Sequence, residues 1–175
     1  MGASGATNAT SQTDLAPNTA HAMSTSAQAA TSSLAVPGDT LLLIVRLGEG
    51  RFALPAAPIA RILPMAAPMP LVASAPGVIG GLVIAGTLLP ILDPRPALGI
   101  PPVLPGIAQH LLLLDTARPF LLWIDRAETI ERARVQAHDT AGQPPLVRLG
   151  DAYLPLLDPL AFAPGAVAGW DRAGW

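Results

Sequence analysis

The sequence contains no cysteine and no lysine, and it has few charged or aromatic residues. Without cysteine the chain forms no disulfide, no thiolate metal site and no thiol nucleophile. All ten basic residues are arginines, and they are spread singly from Arg46 to Arg172, so they make no patch that could follow a phosphate backbone. Nucleic-acid binding is therefore not expected.

Hydrophobic residues make up 51% of the chain and charged residues only 13%, with a net charge of −2. The stretch from Ile62 to Leu92 has no charged residue, so a membrane span has to be weighed. Prolines interrupt that stretch repeatedly, and its longest proline-free run, Gly77 to Leu89, is shorter than the roughly 20 residues a spanning helix needs. We therefore expect buried strands and no membrane insertion.

Residues 76–99 carry the clearest local pattern. Two apolar runs, Val78 to Ile84 and Thr87 to Leu92, flank Ala85-Gly86, where glycine can adopt a positive φ, which is typical of a hairpin turn. Both runs are apolar on both faces, so they are expected to be covered strands of a core. The ending L-P-[IL]-L-D-P occurs twice, at Leu89 to Pro94 and at Leu154 to Pro159, which indicates two similar halves.

The remaining sequence divides into a tail, a folded domain and an extension. Residues 1–38 have too few large apolar side chains to offset the entropy of ordering, so they are predicted to be a disordered tail. This tail also lacks the basic start and apolar centre of a secretory signal peptide, and we expect a cytoplasmic protein. Residues 39–163 are predicted to form the folded domain, and residues 164–175 a C-terminal extension.

Further short strands are predicted within the folded domain, separated by glycine and proline turns. Residues 125–132 fit either a helix face or a strand, and their setting among strands favours a strand. Short helical turns are expected after Asp93 and at Pro159 to Ala163. The other predicted strands are Leu41 to Leu47, Arg51 to Leu54, Ile59 to Leu63, Gln109 to Asp115, Phe120 to Ile124, Leu146 to Leu149 and Ala152 to Leu157. So many short strands indicate an all-β barrel or sandwich.

Few residues suggest chemistry. The three histidines, His21, His110 and His138, have no second ligand at a metal-binding spacing, so no metal site is predicted. Asp93 and Asp158 could be imagined as a carboxylate pair, but each precedes a proline and a short helical turn. Aspartate at the N-cap with proline at the next position explains both residues structurally.

An enzymatic alternative rests on Leu113-Leu114-Asp115-Thr116-Ala117, which resembles the catalytic turn of retroviral aspartic proteases. The glycine of that turn is missing, and such enzymes need two aspartates that share a proton. A second copy of the chain or Asp139 would have to supply the partner. An aspartate that caps its own turn explains Asp115 equally well. No catalytic residue and no cofactor are predicted.

Four segments in order resemble the CheW-like domain family over about Thr40 to Ala163. They read L-L-I-V-R-L-G-E-G-R-F-A-L-P, then G-V-I-G-G-L-V-I-A-G-T-L-L-P-I-L-D, then L-L-L-L-D-T-A-R-P-F-L-L-W-I-D-R, and finally L-V-R-L-G-D-A-Y-L-P-L-L-D. The middle block is the best marker, since Gly81 to Val83 and Gly86 to Asp93 follow the family pattern there. The family arginine of this block is absent, with Ala85 before the glycine, and Arg61 stands where an acidic residue is usual.

The resemblance implies a fold and a function. Proteins that look like this fold as two SH3-like five-stranded β-barrels packed on a shared hydrophobic core, with short helical turns. They are non-catalytic adaptors that join the cytoplasmic tips of chemoreceptors to the regulatory domain of the histidine kinase CheA. The alternative binding function is a divergent scaffold in another pathway, such as motility or second-messenger signalling.

Partner contacts are expected at two apolar edges, where the hydrophobic excess of this chain would meet another protein. The first edge contributes Ile59, Arg61 and Ile62. The second contributes Leu82, Val83, Ala85, Gly86 and Thr87. At the C-terminal end, Trp170 and Trp175 suit either a docking peptide or a segment that folds back onto its own barrel.

Overall fold

The computed structural model describes residues 39–71, 77–136 and 144–163. These ranges contain ten β-strands, and the only helices within them are two short 3₁₀ helices, Pro96–Leu98 and Pro159–Phe162. The strands are β1 (Asp39–Leu47), β2 (Gly50–Pro55), β3 (Ile59–Pro64), β4 (Val78–Ile84), β5 (Thr87–Leu92), β6 (His110–Leu114), β7 (Phe120–Ile124), β8 (Arg126–Gln136), β9 (Leu146–Leu149) and β10 (Ala152–Pro155). The predicted all-β class is confirmed, and the ambiguous segment after Asp125 is a strand.

The strands form two five-stranded sheets. The first has the order β10-β9-β8-β1-β2 and the second the order β3-β6-β7-β5-β4. The first sheet curls into a barrel because the chain after β10 returns to β2, where the Leu157 N–H donates to the Ala53 carbonyl at 2.8 Å. In the second sheet the chain after β3 likewise crosses to β4, where Met69 and Gly81 exchange two backbone hydrogen bonds of 2.8 and 2.9 Å. We call the first and second sheets the first and second barrels.

Alternation along β1 explains why its sequence is apolar on both faces. Leu42 and Ile44 point into the first barrel, together with Ala53, Val147 and Leu156. Leu43, Val45 and Leu47 point the opposite way, into a cluster shared by both sheets. Because successive side chains of a strand face opposite sides, a strand that lies between two cores is apolar throughout.

β7, in the second sheet, also lies between two cores. Phe120, Leu122 and Ile124 face the shared cluster, whereas Leu121 and Trp123 face the interior of the second barrel, with Ile91 and Leu111. All five residues of β7 are buried. The shared hydrophobic core between two barrels, expected from the family resemblance, is confirmed.

The repeated L-P-[IL]-L-D-P segment occupies comparable places in the two halves. Ile91 and Leu92 pair in parallel with β7, and Leu156 makes a parallel bridge to Ala53 of β2. The two aspartates differ. Asp158 is the N-cap of the second 3₁₀ helix, and its Oδ1 accepts the Leu160 N–H at 2.9 Å.

The prediction that Asp93 is an N-cap is wrong, because the first 3₁₀ helix begins later and Arg95 occupies its N-cap position. The expectation that both strands of the central hairpin are covered is also wrong. β4 is an edge strand, and Val83 on its outer face is 52% exposed. An edge strand pairs with a neighbouring strand on one side only, so more of its surface stays in contact with solvent. The apolar sequence of β4 alone therefore did not decide its burial.

Several predictions fall outside the described residues: the N-terminal tail with His21, the loop with His138 and Asp139, and the extension with Trp170 and Trp175. The domain boundaries proposed from sequence therefore stay predictions. In the part of the chain that the structure describes, no helix is long and apolar enough to cross a membrane.

Candidate functional site

The first group of predicted contact residues lies on β3, at one edge of the second sheet. Ile59 is half-buried against the shared cluster. Arg61 is exposed, and Ile62 is 40% exposed although it is a large apolar residue. The pairing with β6 shifts between Ile59 and Arg61, which is the kind of irregularity that re-aims side chains at a sheet edge.

The second group lies on the β4–β5 hairpin. Ala85 and Gly86 form its two-residue turn with φ of 49° and 82°, and two positive φ values match the type I′ turn that suits the twist of a hairpin. Leu82 is half-buried on the inner face, whereas Thr87 is exposed with both turn residues. Sequence reasoning placed this turn correctly.

Strand register places Ile59 of the first group towards the same end of the second sheet as the hairpin turn, whereas Arg61 and Ile62 pair with Leu113 and Leu112 of β6, further from that end. Ile59 pairs with Leu114, and Leu114 pairs with Phe120. The next residue of β7, Leu121, pairs in parallel with Ile91 of β5. Since β5 starts at the hairpin turn and runs towards Ile91, the turn and Ile59 are at the same end, which we call the hairpin end.

An apolar patch that the sequence analysis named only in part covers the outer face of the hairpin. Val83 and Leu88 are cross-strand partners, 52% and 38% exposed, and nearby Met69 is 44% exposed. We call these three residues the hairpin patch. Val83 alternates with the inward-facing Leu82 and Ile84 and therefore faces out with its partner Leu88, whereas Met69 reaches the patch only through its bridge to Gly81.

Gly81 lets this patch form. A Cβ at this position would lie 2.9 Å from Leu88 Cδ1 and 3.1 Å from Leu71 Cδ2, so both leucine side chains lie directly over the glycine backbone. A larger residue would push them outward. The absence of a side chain at Gly81 thus leaves room for the Leu88 and Leu71 side chains on this part of the hairpin.

A buried charged cluster, which sequence reasoning missed, lies at the opposite end of β5. Arg95 is completely buried, and its guanidinium donates to Asp93 Oδ1 at 2.8 Å and to Asp125 Oδ1 at 2.5 Å. Asp93 also accepts the Arg95 backbone N–H at 3.0 Å. Two carboxylates thus compensate the buried cation, as a buried charge requires.

Trp123 and Gln109 complete this cluster. The guanidinium carbon of Arg95 lies 4.2 Å from the centre of the Trp123 ring, a cation–π geometry. The Trp123 indole N–H donates to Gln109 Oε1 at 3.1 Å, and the Gln109 amide donates to Asp125 at 2.9 Å.

Asp125 links the cluster to the first sheet, because its Oδ2 accepts the Gly48 N–H at 2.6 Å in the β1–β2 turn. The cluster thus connects the two barrels through hydrogen bonds and ion pairs. The available sequence signal was an arginine two residues after an aspartate that follows an apolar strand.

A second ion cluster lies on the first sheet and is exposed. Glu128 accepts from Arg46 at 3.2 Å and from Arg51 at 2.7 Å. Burial of Glu128 alone would raise the pKa of its carboxyl, but the hydrogen bonds from Arg51 and Arg46 outweigh that effect and hold the pKa below its ordinary value. The carboxylate is therefore charged at neutral pH.

The geometry around Asp115 is that of a turn. Asp115 is exposed, and its backbone N–H donates to the Pro58 carbonyl at 2.9 Å. The neighbouring Thr116 hydroxyl donates to the Arg118 carbonyl at 2.6 Å. Within the described ranges, no three potential ligands among His, Cys, Asp and Glu come together as a metal site would require.

Comparison with known proteins agrees with this architecture. The family model of the CheW-like domain matches residues 41–162. The crystal structure of the scaffolding protein TtCheW from Thermoanaerobacter tengcongensis superposes with a TM-score of 0.58 and 11% sequence identity, covering 69% of this chain and 85% of that chain. No curated protein matches the sequence.

Proposed function

The chain belongs to the CheW-like domain family, whose members are non-catalytic scaffolds, and we propose that it is a cytoplasmic chemotaxis adaptor. It couples the cytoplasmic tip of a chemoreceptor to the regulatory domain of a CheA-type histidine kinase through protein contacts alone. Membership of this family argues against the aspartic-protease alternative at Asp115.

The observation that carries this proposal is the hairpin patch, an exposed apolar surface at the end where sequence reasoning expected partner contacts. Val83, Leu88 and Met69 are between 38% and 52% exposed. Adjacent apolar side chains left in water favour association, because burying them on a partner contributes roughly 25 cal/mol per Å². Interface energy also concentrates in a few central apolar residues, which a patch of this kind supplies.

The edge strand β3 supplies the polar part of the proposed surface. Arg61 is exposed beside Ile62, which is 40% exposed. A cation at this position selects a partner with a facing acidic side chain, since a rim charge acts on specificity and association rate more than on affinity. Its binding effect is therefore expected to shrink as salt is added.

A binding experiment with the full chain tests the proposal. We expect the protein to bind the regulatory domain of the CheA kinase encoded by the same organism, and a receptor tip fragment. Val83→Asp should weaken binding to at least one of them by about tenfold or more, because it places a charge in the apolar centre of the contact. Isothermal titration calorimetry measures both affinities.

Tyr153→Asp is the matched control, because Tyr153 is 53% exposed against 52% for Val83 and lies on β10 of the first sheet. Its affinities should equal those of the unmodified chain. Equal losses of affinity in the two variants would show that the hairpin patch is not part of the interface. Binding to neither partner, by protein with an intact circular dichroism spectrum, would overturn the chemotaxis function.

That last outcome would favour the second candidate, a scaffold in a motility or second-messenger pathway. The observation behind this candidate is that Arg61 and Ala85, both exposed, replace the residues usual in the family at two contact positions. The same calorimetric titration separates the candidates, because a scaffold of a different pathway binds neither chemotaxis protein.

A further inference from the structure

A second exposed apolar surface lies at the opposite end of the second sheet, in the loop that joins the first 3₁₀ helix to β6. Every residue from Pro101 to Ala108 is exposed. Leu104 is 88% exposed, Ile107 is 97% exposed and Val103 is 41% exposed. We call residues 101–108 the apolar loop. It plays no part in the proposed contacts of the hairpin end.

Both ends of the apolar loop are fixed. Before it, Leu98 and Ile100 pack against the shared cluster, and the Ile100 N–H donates to the Arg95 carbonyl at 2.9 Å. At its other end, the Gln109 N–H donates to the Gly106 carbonyl at 3.0 Å, and the Gly106 N–H donates to Gln109 Oε1 at 2.7 Å. The apolar side chains are thus held outward by the fold.

The chemistry of the loop limits what can cover it. No charged residue occurs between Pro96 and Gln109, so the loop offers nothing to a strongly charged partner or to the anionic headgroups of a membrane surface. Leu104 and Ile107 instead suit a large apolar ring. Tryptophan buries about 150–250 Å² in such contacts.

The described chain ends at the same core from which the apolar loop emerges. Phe162 is buried in the shared cluster, and Ala163 packs against it together with Leu98 and Ile100. Residues 164–175 follow, outside the described ranges, and they contain two of the three tryptophans of the sequence, Trp170 and Trp175.

We propose that residues 164–175 dock on the apolar loop, with the indole rings of Trp170 and Trp175 covering Leu104 and Ile107. Trp170 is seven positions after Ala163, a separation of at most about 25 Å when the chain is extended. A tether of this length gives the rings an effective concentration of order millimolar.

Tryptophan fluorescence of the full chain tests this docking. Trp123 is 1% exposed and is shielded from acrylamide, so quenching reports on Trp170 and Trp175. We expect both rings to resist quenching in the unmodified chain. In Leu104→Ser/Ile107→Ser the quenching of these two rings should rise to its value in urea-unfolded protein, while the circular dichroism spectrum is unchanged.

The double variant Ile130→Ser/Tyr153→Ser is the control, since both residues are more than half exposed but lie on the first sheet. It should leave quenching unchanged. The proposal would be overturned if Trp170 and Trp175 were fully quenched in the unmodified chain. It would also be overturned if Leu104→Ser/Ile107→Ser left the quenching unchanged. Protection that disappears on dilution would also overturn it, because a second copy of the chain would then be the occupant.

A crosslinking measurement gives an independent answer. The chain has no cysteine, so Ile107→Cys combined with Gly169→Cys introduces a single pair, and a disulfide forms only when the two Cα atoms come within about 7 Å. We expect a rapid monomeric crosslink from this pair and none from Ile130→Cys with Gly169→Cys. Equal crosslinking rates in the two pairs would contradict docking on the apolar loop.

Discussion

Arg95 is the residue whose environment differs most from what its type suggests. Its side chain is completely buried, in contact with Asp93, Asp125 and the Trp123 ring. Burying a guanidinium is costly unless partners compensate its charge and hydrogen bonds. The two carboxylates compensate the charge and accept from both terminal nitrogens, whereas the buried Nε has no hydrogen-bond partner among the described residues.

Arg95→Met should therefore destabilise the fold strongly. Removing one partner of a buried ion pair leaves uncompensated charge and typically costs about 3–5 kcal/mol. We expect a loss of this size in the free energy of urea unfolding, followed by far-UV circular dichroism because Trp123 fluorescence would respond to the local change itself. Arg61→Met, which alters an exposed arginine, should stay within about 0.5 kcal/mol; equal effects of the two substitutions would argue against an ionic role for Arg95.

Glu128 makes a pH-dependent contribution to the stability of the fold, and its pKa fixes the sign of that contribution. Its pKa in the folded chain is lowered from the ordinary value of 4.5, so the folded state favours the charged form. The resulting stabilisation is fully present above pH 4.5 and is lost as the pH falls through the lower, folded pKa. The arginines beside it are 46% and 42% exposed, so solvent screens the interaction.

Glu128→Gln should accordingly lower stability at pH 7 by no more than about 1 kcal/mol, the usual limit for an exposed pair. The difference between the two proteins should vanish in strongly acidic solution and should shrink in 1 M salt. Thermal unfolding across a pH series measures it. A difference that grows as the pH falls would show that the sign is wrong.

The β4–β5 hairpin depends on glycine where another segment crosses it. Gly80 has a φ of 151°, and a Cβ there would lie 2.7 Å from the Met69 carbonyl oxygen and 2.8 Å from Pro68 Cβ. Gly86 also has a positive φ, 82°, but its added Cβ would meet nothing within 4 Å. Substitutions at the two glycines therefore distinguish the cost of steric overlap from the cost of backbone strain alone.

Gly80→Ala should thus be more damaging than Gly86→Ala. The turn substitution incurs only the strain of the left-handed region, about 1–2 kcal/mol, whereas Gly80→Ala adds an overlap with backbone atoms that have little room to move. We expect a larger loss in unfolding free energy and loss of hydrogen-exchange protection at the Met69 and Gly81 amides. Similar losses in both variants would mean that the crossing segment can shift.

At the scale of the whole molecule, the shared cluster joins two barrels into one folding unit. β1 and β7 each contribute one face to their own barrel and the other face to the shared core. Neither barrel can lose its strands without exposing that common core. The molecule is expected to unfold in a single cooperative transition.

Leu156→Ala tests this cooperativity. Leu156 is 1% exposed in the first barrel, and its truncation should cost about 2–5 kcal/mol. Trp123 belongs to the second barrel. In a Trp170→Phe/Trp175→Phe background it is the sole tryptophan, and its fluorescence should report the same lowered urea midpoint as far-UV circular dichroism, since coincident probes define a two-state transition. A Trp123 transition that stays at the original midpoint would show that the barrels unfold separately.

The sequence by itself determined the all-β class, the strands, the Ala85-Gly86 turn and the cap at Asp158, because these follow from local alternation, turn chemistry and proline placement. Four segments of the sequence also sufficed to indicate the family. Local rules failed at Asp93, whose motif matches that of Asp158 but whose partner is the buried Arg95.

Only the tertiary structure decided which apolar residues are exposed. Val83 and Leu88 on the hairpin, and Leu104 and Ile107 in the apolar loop, resemble core residues in sequence. Their exposure depends on which strands are sheet edges and where the chain crosses. Apolar composition indicates how much apolar surface can be buried. The packing of distant segments decides which part of that surface stays exposed for a partner.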